Sequence, residues 1–289
     1  MRRAALGRFA MSFAVSMAVL LAALLHASWN AMIKGGGDVL HDTAGIVVGT
    51  ALIGLPFVFI LPVPPAAAWP FIFASVTVHL VYYWLMISAY RVGDLSLVYP
   101  LMRGVAPLIT AVAGIAVLGE LPAPIAWLGM LLISAGVLLL GYRALGHAPS
   151  RAAVFFALAN AAVIALYTLI DGQGARISGN AWSYIVWLFV LDGIPFSLWM
   201  LATRRATFIA NLRGRSRRAL VGGGLSAAAY AISVWAMTKA PVALVASLRE
   251  TSVLFATLLG ARLLHERLSP RRWGGVIAVV IGVVALKAA

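Results

Sequence analysis

The sequence predicts an all-α polytopic membrane protein whose ten transmembrane helices form two inverted five-helix repeats. Composition, the spacing of apolar runs and a pattern repeated between the two halves lead to this class. Of 289 residues, 63% are hydrophobic and 10% charged, whereas about a quarter of a soluble domain is charged. A hydrocarbon core needs roughly 20 apolar residues per helix, so the length accommodates about ten spans and leaves no room for a soluble domain.

The first span is expected near residues 10–33. It follows Met1-Arg2-Arg3 and contains Ala27-Ser28, as a secretory signal would, but its apolar stretch is too long for a signal core and it reads as a membrane helix. Gly, Pro and charge breaks then delimit spans near 43–62, 69–90, 95–118 and 124–142. The second set falls near 152–171, 181–202, 219–238, 241–264 and 271–287. Five and five give units 1–147 and 148–289.

A shift of 146 positions pairs Arg103 with Arg249, Glu120 with Glu266, Pro124 with Pro270, Trp127 with Trp273, Gly129 with Gly275 and Gly136 with Gly282. An odd number of spans per unit turns the second copy upside down in the bilayer. In such inverted repeats the equivalent halves can exchange conformations around a site near the midplane.

The net charge of +14 is spread over the breaks between apolar runs. It forms no nucleic-acid-binding face, and retention of Lys and Arg on the cytoplasmic side explains it. Arg204, Arg205, Arg213, Arg215, Arg217 and Arg218 lie between spans seven and eight, and Arg262, Arg267, Arg271 and Arg272 between nine and ten. This places those loops in the cytoplasm of a bacterial-type inner (plasma) membrane, with both termini outside. The absence of cysteine excludes disulfides, iron–sulfur clusters and thiolate zinc sites.

Enzyme signatures fail one by one. Gly35-Gly36-Gly37-Asp38 fits a GxGD pattern but sits in a loop, His265-Glu266 begins HExxH and breaks at Ser269, and no GxSxG occurs. No enzyme activity, cofactor or metal is expected.

Ionisable groups within spans are costly and usually face a bundle interior. Here they are His79, Arg103, Asp192, Arg249 and Glu250. Ser75, His79, Tyr82 or Tyr83, Met86 and Tyr90 share one helix face, and Ser226, Tyr230, Ser233 and Met237 form a matching stripe on helix eight. Hydroxyls and imidazole can hydrogen-bond a solute while the rings pack against it. Tyr99 and Pro100 precede Arg103 by one turn. Arg103 and Arg249 could hold a carboxylate with a bidentate fork, or Arg103 could pair with a carboxylate or a helix end, and Arg249 with Glu250 or Asp192. His79, Asp192 and Glu250 are the candidates for proton coupling. Glu120 and Glu266 read as structural caps of the helix that follows each, and Asn30 and Asn160 as polar contacts or helix–helix glue.

Val117-Leu118-Gly119-Glu120-Leu121-Pro122-Ala123-Pro124 with Trp127-Leu128-Gly129, and Leu263-Leu264-His265-Glu266-Arg267-Leu268-Ser269-Pro270 with Trp273-Gly274-Gly275, resemble the drug/metabolite transporter superfamily in its EamA-type ten-helix form. The likeness spans nearly the whole chain, with His265 where a glycine is usual. It is also similar to the YddG type of amino-acid exporter. The resemblance implies a secondary transporter that exports amino acids or related small metabolites by alternating access. Its central cavity would be lined by the first, third and fourth helices of each repeat. Small-molecule substrate and lipid bilayer are the implied partners, without nucleic acid, and two fused halves would make one pathway in a monomer. Export of toxic or drug-like cations is the rival reading, and a structural or assembly protein is the alternative of another class.

Overall fold

The computed structural model describes residues 11–34, 38–141, 150–264 and 269–289. They form α1 (Phe13–Lys34), α2 (Val39–Val58), α3 (Trp69–Val92, entered through a 3-10 turn at Ala66–Ala68), α4 (Leu95–Leu118) and α5 (Pro124–Gly141). The second half contributes α6 (Arg151–Ser178), α7 (Ala181–Gly214), α8 (Ser216–Met237), α9 (Val242–Arg249), α10 (Thr251–Leu264) and α11 (Pro270–Lys287). Nine segments of the described residues are long and apolar enough to cross a membrane, with α9 and α10 together supplying one of them over Val242–Leu259. The tenth helix, α11, lies along α5 and carries its charges, Arg271, Arg272 and Lys287, at its two ends. Large apolar side chains such as Phe59, Ile60, Phe155 and Val284 are exposed on the outside. This is an all-α ten-helix polytopic fold whose solvent is lipid.

Several boundaries depart from the expected spans for local reasons. α2 starts four residues early because Asp38 caps it, accepting hydrogen bonds from the Leu40 amide at 3.0 Å and the His41 amide at 3.1 Å. Partial burial pushes the Asp38 carboxyl up, but those amides and the His41 imidazole, 2.7 Å away, hold it below its ordinary value. The cap is therefore charged at neutral pH. α6 runs on to Ser178 and stops at Gly179, whose φ of 68° is the left-handed conformation that glycine supplies at helix ends.

The basic stretch expected as a loop after span seven is helical. Its backbone turns at Arg204 (φ −143°, ψ 34°) and resumes to Gly214. Phe208 is buried in a cluster with Ala44 and Val47 of α2, and Thr207 Oγ1 lies 3.0 Å from His41 Nε2. Arg215 Nη1 sits 3.1 Å from the buried Asp42. Span nine, expected as one helix, is divided at Glu250. Glu266 lies outside the described residues, as do His265 and Gly35-Gly36-Gly37.

Contacts between the halves hold the bundle together. α5 and α11 cross antiparallel through reciprocal glycines. A Cβ on Gly136 would stand 2.8 Å from the Gly275 carbonyl oxygen, and one on Gly282 would stand 2.8 Å from that of Gly129. Without a hydrophobic drive between helices in lipid, such close backbone approach supplies the dispersion contact. α2 and α8 meet in the same way, with Thr50 Oγ1 donating to the Gly223 carbonyl at 3.1 Å. α3 packs on α6 and α1 on α8, while α2 runs along α8 over a longer seam than α3 shares with α7.

Glu120 follows the left-handed Gly119 (φ 67°). Its partners differ from the expected cap of α5: it accepts from the Val242 amide of α9 at 2.8 Å and from Arg176 Nη2 at 2.7 Å. Arg176 also donates to the Met237 and Ala240 carbonyls at 2.8 and 3.0 Å. A carboxylate from the first half thus caps a helix of the second.

Gly136→Val is expected to destabilise the fold by about 1–3 kcal/mol through overpacking, whereas Gly274→Val, in open space, leaves melting in detergent unchanged. Glu120→Ala strands the buried Val242 amide and takes the carboxylate from Arg176, which keeps its two carbonyl acceptors, an expected loss of about 1–3 kcal/mol. Glu120→Gln restores part of the lost melting temperature by keeping an acceptor.

Candidate functional site

The polar stripe of α3 faces inward. His79 Nδ1 lies 2.9 Å from the Ser75 carbonyl oxygen one turn earlier and 3.2 Å from the Ser75 hydroxyl. The imidazole stacks on Tyr167 of α6 at 4.4 Å between centroids and 25° between planes. Tyr82 and Tyr230 present their rings edge-on to it at 6.3 and 6.0 Å, and Tyr83 lies 6.4 Å away. Four tyrosines from α3, α6 and α8 therefore surround one histidine. The two opposed stripes predicted for α3 and α8 do meet, with α6 closing the space between them.

Two aspartates anchor these phenols. Tyr83 donates to Asp192 Oδ2 at 2.9 Å, while the buried Asp192 Oδ1 has no hydrogen-bond partner among the described residues. Asp171 of α6 is fully buried, accepting from the Tyr184 hydroxyl at Oδ1, 2.8 Å, and from the Tyr230 hydroxyl at Oδ2. A phenol that donates to a carboxylate keeps its ring fixed, so the rings are held in place by polar bonds at their far ends.

The charged layer lies beside this aromatic one. Arg103 of α4 places Nε 2.7 Å from Glu250 Oε2, both side chains being almost wholly buried. Glu250 stands at the turn between α9 and α10 and points away from the face of its neighbour Arg249, as adjacent helical positions do. Of the pairings open to the two arginines, Arg103 takes Glu250, whereas Arg249 makes no ion pair among the described residues. The Arg249 guanidinium lies over the Tyr230 ring, 5.8 Å from its centroid, a cation–π contact. Its buried Nε and Arg103 Nη2 have no hydrogen-bond acceptor among the described residues. Tyr230 thus joins the two layers, bonded to Asp171 at its hydroxyl and covered by Arg249 on its face.

Other expected residues stand further out. Tyr99 is half-buried and packs against the core that includes α9. Ser226 shares the Tyr230 face one turn away and makes no hydrogen bond among the described residues. Ser233 is satisfied by the Ala229 carbonyl at 2.7 Å. Asn30 bonds back to the His26 carbonyl at 2.8 Å, and Asn160 Nδ2 lies 2.8 Å from Met102 Sδ of α4.

Sequence reasoning missed Asp171, Tyr167 and Tyr184. Asp171 fell at the expected end of span six, because Gly172-Gln173-Gly174 and Arg176 resemble a loop. The signal available was the four-residue spacing of Tyr167 and Asp171, which puts both on one helix face.

The model of the EamA-like transporter family matches twice, over residues 13–142 and 151–287. An uncharacterized transporter, YwfM, of Bacillus subtilis (strain 168) is 27% identical over 223 residues, covering 77% of this chain and 74% of that protein. A solved crystal structure superposes with a TM-score of 0.74 over 94% of this chain and 96% of that one, at 18% identity, a likeness of fold. The two family matches, one on each set of five spans, with this ten-helix bundle around a polar aromatic centre, establish that the chain belongs to the EamA-like transporter family and is a multi-pass membrane transporter of small molecules.

Proposed function

We propose that this transporter exports amino acids or related carboxylated metabolites by alternating access, as a YddG-type exporter would, with Arg249 as the carboxylate anchor. The observation that carries this reading is a buried cation that makes no ion pair among the described residues. Arg249 is 4% exposed, its Nε finds no acceptor among the described residues, and its guanidinium lies over the Tyr230 ring. A charge in such a place is costly unless something pairs with it, and a substrate carboxylate supplies both the charge and two acceptor oxygens for the guanidinium fork. His79, Tyr82, Tyr83, Tyr99 and Tyr230 are the surfaces against which its remainder packs, with Ser226 one turn beyond. Arg103, held by Glu250, sets the neighbouring field.

Alternating access is supported by the unequal seams. If 1–147 and 148–289 are inverted copies, α2 against α8 corresponds to α7 against α3, yet the first seam is long and the second short. Exchange of the two would close one face of the bundle as the other opens. The reciprocal, antiparallel glycine contact of α5 with α11 suits a fixed axis for that exchange. Each pathway needs both halves of one chain and no second copy.

A second reading, export of lipophilic cations, has its own observation. Asp171 and Asp192 lie among tyrosine rings, and Asp192 Oδ1 is an acceptor without a donor. An anionic aromatic site of this kind would suit a cation.

Flux of a labelled amino-acid mixture into proteoliposomes containing the purified protein tests both. Saturable flux is expected, and Arg249→Gln is expected to remove a charge-assisted contact of about 1.5–3 kcal/mol, raising KM on the order of 10- to 100-fold. Movement of a cationic dye without any amino acid would establish the second reading instead. For orientation, a cysteine at Ser216 is expected to resist an impermeant thiol reagent in intact cells; ready labelling would put the basic segment outside.

A further inference from the structure

Asp171 is placed unlike the other buried carboxylates of the bundle. Asp42 has Arg215 beside it and Glu250 has Arg103, each a permanent cation. Asp171 is just as deeply buried, and the groups donating to it are neutral hydroxyls, from Tyr184 and Tyr230. Asp192, the other acid of this layer, is half-buried and holds only Tyr83.

The ionisable groups around Asp171 come from every element packed on α6. His79 and Ser75 approach from α3, Tyr184 and Asp192 from α7, Tyr230 from α8, and Tyr167 lies one turn away on α6 itself. Arg103 of α4 and Arg249 of α9 lie beyond Tyr167 and Tyr230, the first engaged by Glu250 and the second lying over Tyr230. A fully buried carboxylate without a permanent counter-charge is neutralised most directly by a proton.

We propose that Asp171 is a proton-carrying site of transport, and that Tyr230 links its load to the substrate anchor. The inference rests on the transport reading above but names a residue and a coupling ion that reading leaves open. The balance is simple. With Asp171 ionised, Oδ2 accepts the Tyr230 hydroxyl and holds the ring beneath Arg249. When a proton binds Oδ2, the new O–H becomes a donor, so the Tyr230 hydroxyl must turn to accept or lose the bond. The ring under Arg249 is then released. The proton leaves Asp171 on the opposite side, restoring the bond, so that one proton moves per cycle. It enters by way of His79, joined to this layer through Ser75; the His79 imidazole gives up one N–H proton to Asp171 and regains one from the entry side.

The first test needs no substrate. Infrared pH titration of the purified protein is expected to show a protonated-carboxyl stretch that titrates in the wild type and is missing from Asp171→Asn. An identical titrating band in the two proteins overturns the proposal whatever the substrate is.

The second test uses proteoliposomes and a labelled amino-acid mixture. Wild type is expected to accumulate label up to about tenfold under an imposed gradient of about one pH unit, and to exchange label at equal pH. Asp171→Asn is expected to lose accumulation far more steeply than exchange, Asp171→Glu to recover accumulation with a displaced pH profile, and Tyr230→Phe to keep the titrating band while weakening accumulation. Gradient-driven accumulation that survives Asp171→Asn rejects the assignment, while exchange without any gradient effect in the wild type rejects proton coupling and leaves the transport reading standing. If Asp171→Asn does not fold, the Asp171→Glu profile decides, since an unmoved profile rejects Asp171 as the proton site.

Discussion

Hydrocarbon offers no partner to a charge or an unpaired amide, so every polar group within the spans has to be satisfied by another part of the chain. Much of the architecture follows from that constraint. Arg103 and Glu250 come from different halves and meet at 2.7 Å. Glu120 crosses between halves to cap α9 and hold Arg176. Asp171 and Asp192 collect phenols from α3, α7 and α8. These contacts set which helices stand next to one another, and the aromatic centre lies where they converge.

Two kinds of packing divide the work. Along α5 with α11, reciprocal glycines let backbones touch, and contact of that kind tolerates little sliding because an added methyl already collides. At the centre the contacts are rings on rings and hydroxyls on carboxylates, which can be broken and remade by torsion of single side chains. A rigid seam beside a rearrangeable middle suits a protein that must move part of itself without coming apart.

Much of this was legible in the amino-acid order. Runs of apolar residues located the helices, and the recurrence of Arg, Glu, Pro, Trp and Gly at a constant offset exposed the likeness of the halves. Three- and four-residue spacing brought His79, Tyr82 and Tyr230 to inward faces. What the order concealed depends on distance through space. Asp171 is singled out by the Tyr184 and Tyr230 hydroxyls that reach it from other helices, tertiary contacts with no local signature. The choice of Glu250 as the partner of Arg103 and the interruption of span nine beside it were equally invisible, since neither Gly nor Pro stands there to announce it.

The reach of Glu120 into the second half bears on how the chain is made. Synthesis delivers α4 and α5 to the bilayer long before α9 exists, so the nascent first half holds an acidic side chain and a glycine-lined helix face with nothing opposite them. Those five helices are therefore an unfinished object until α9 and α11 have been inserted, and later spans complete earlier ones. A chain cut between the halves would have to reassemble those same contacts inside the membrane, and quality-control proteases would meet an incomplete bundle at every stage before α11.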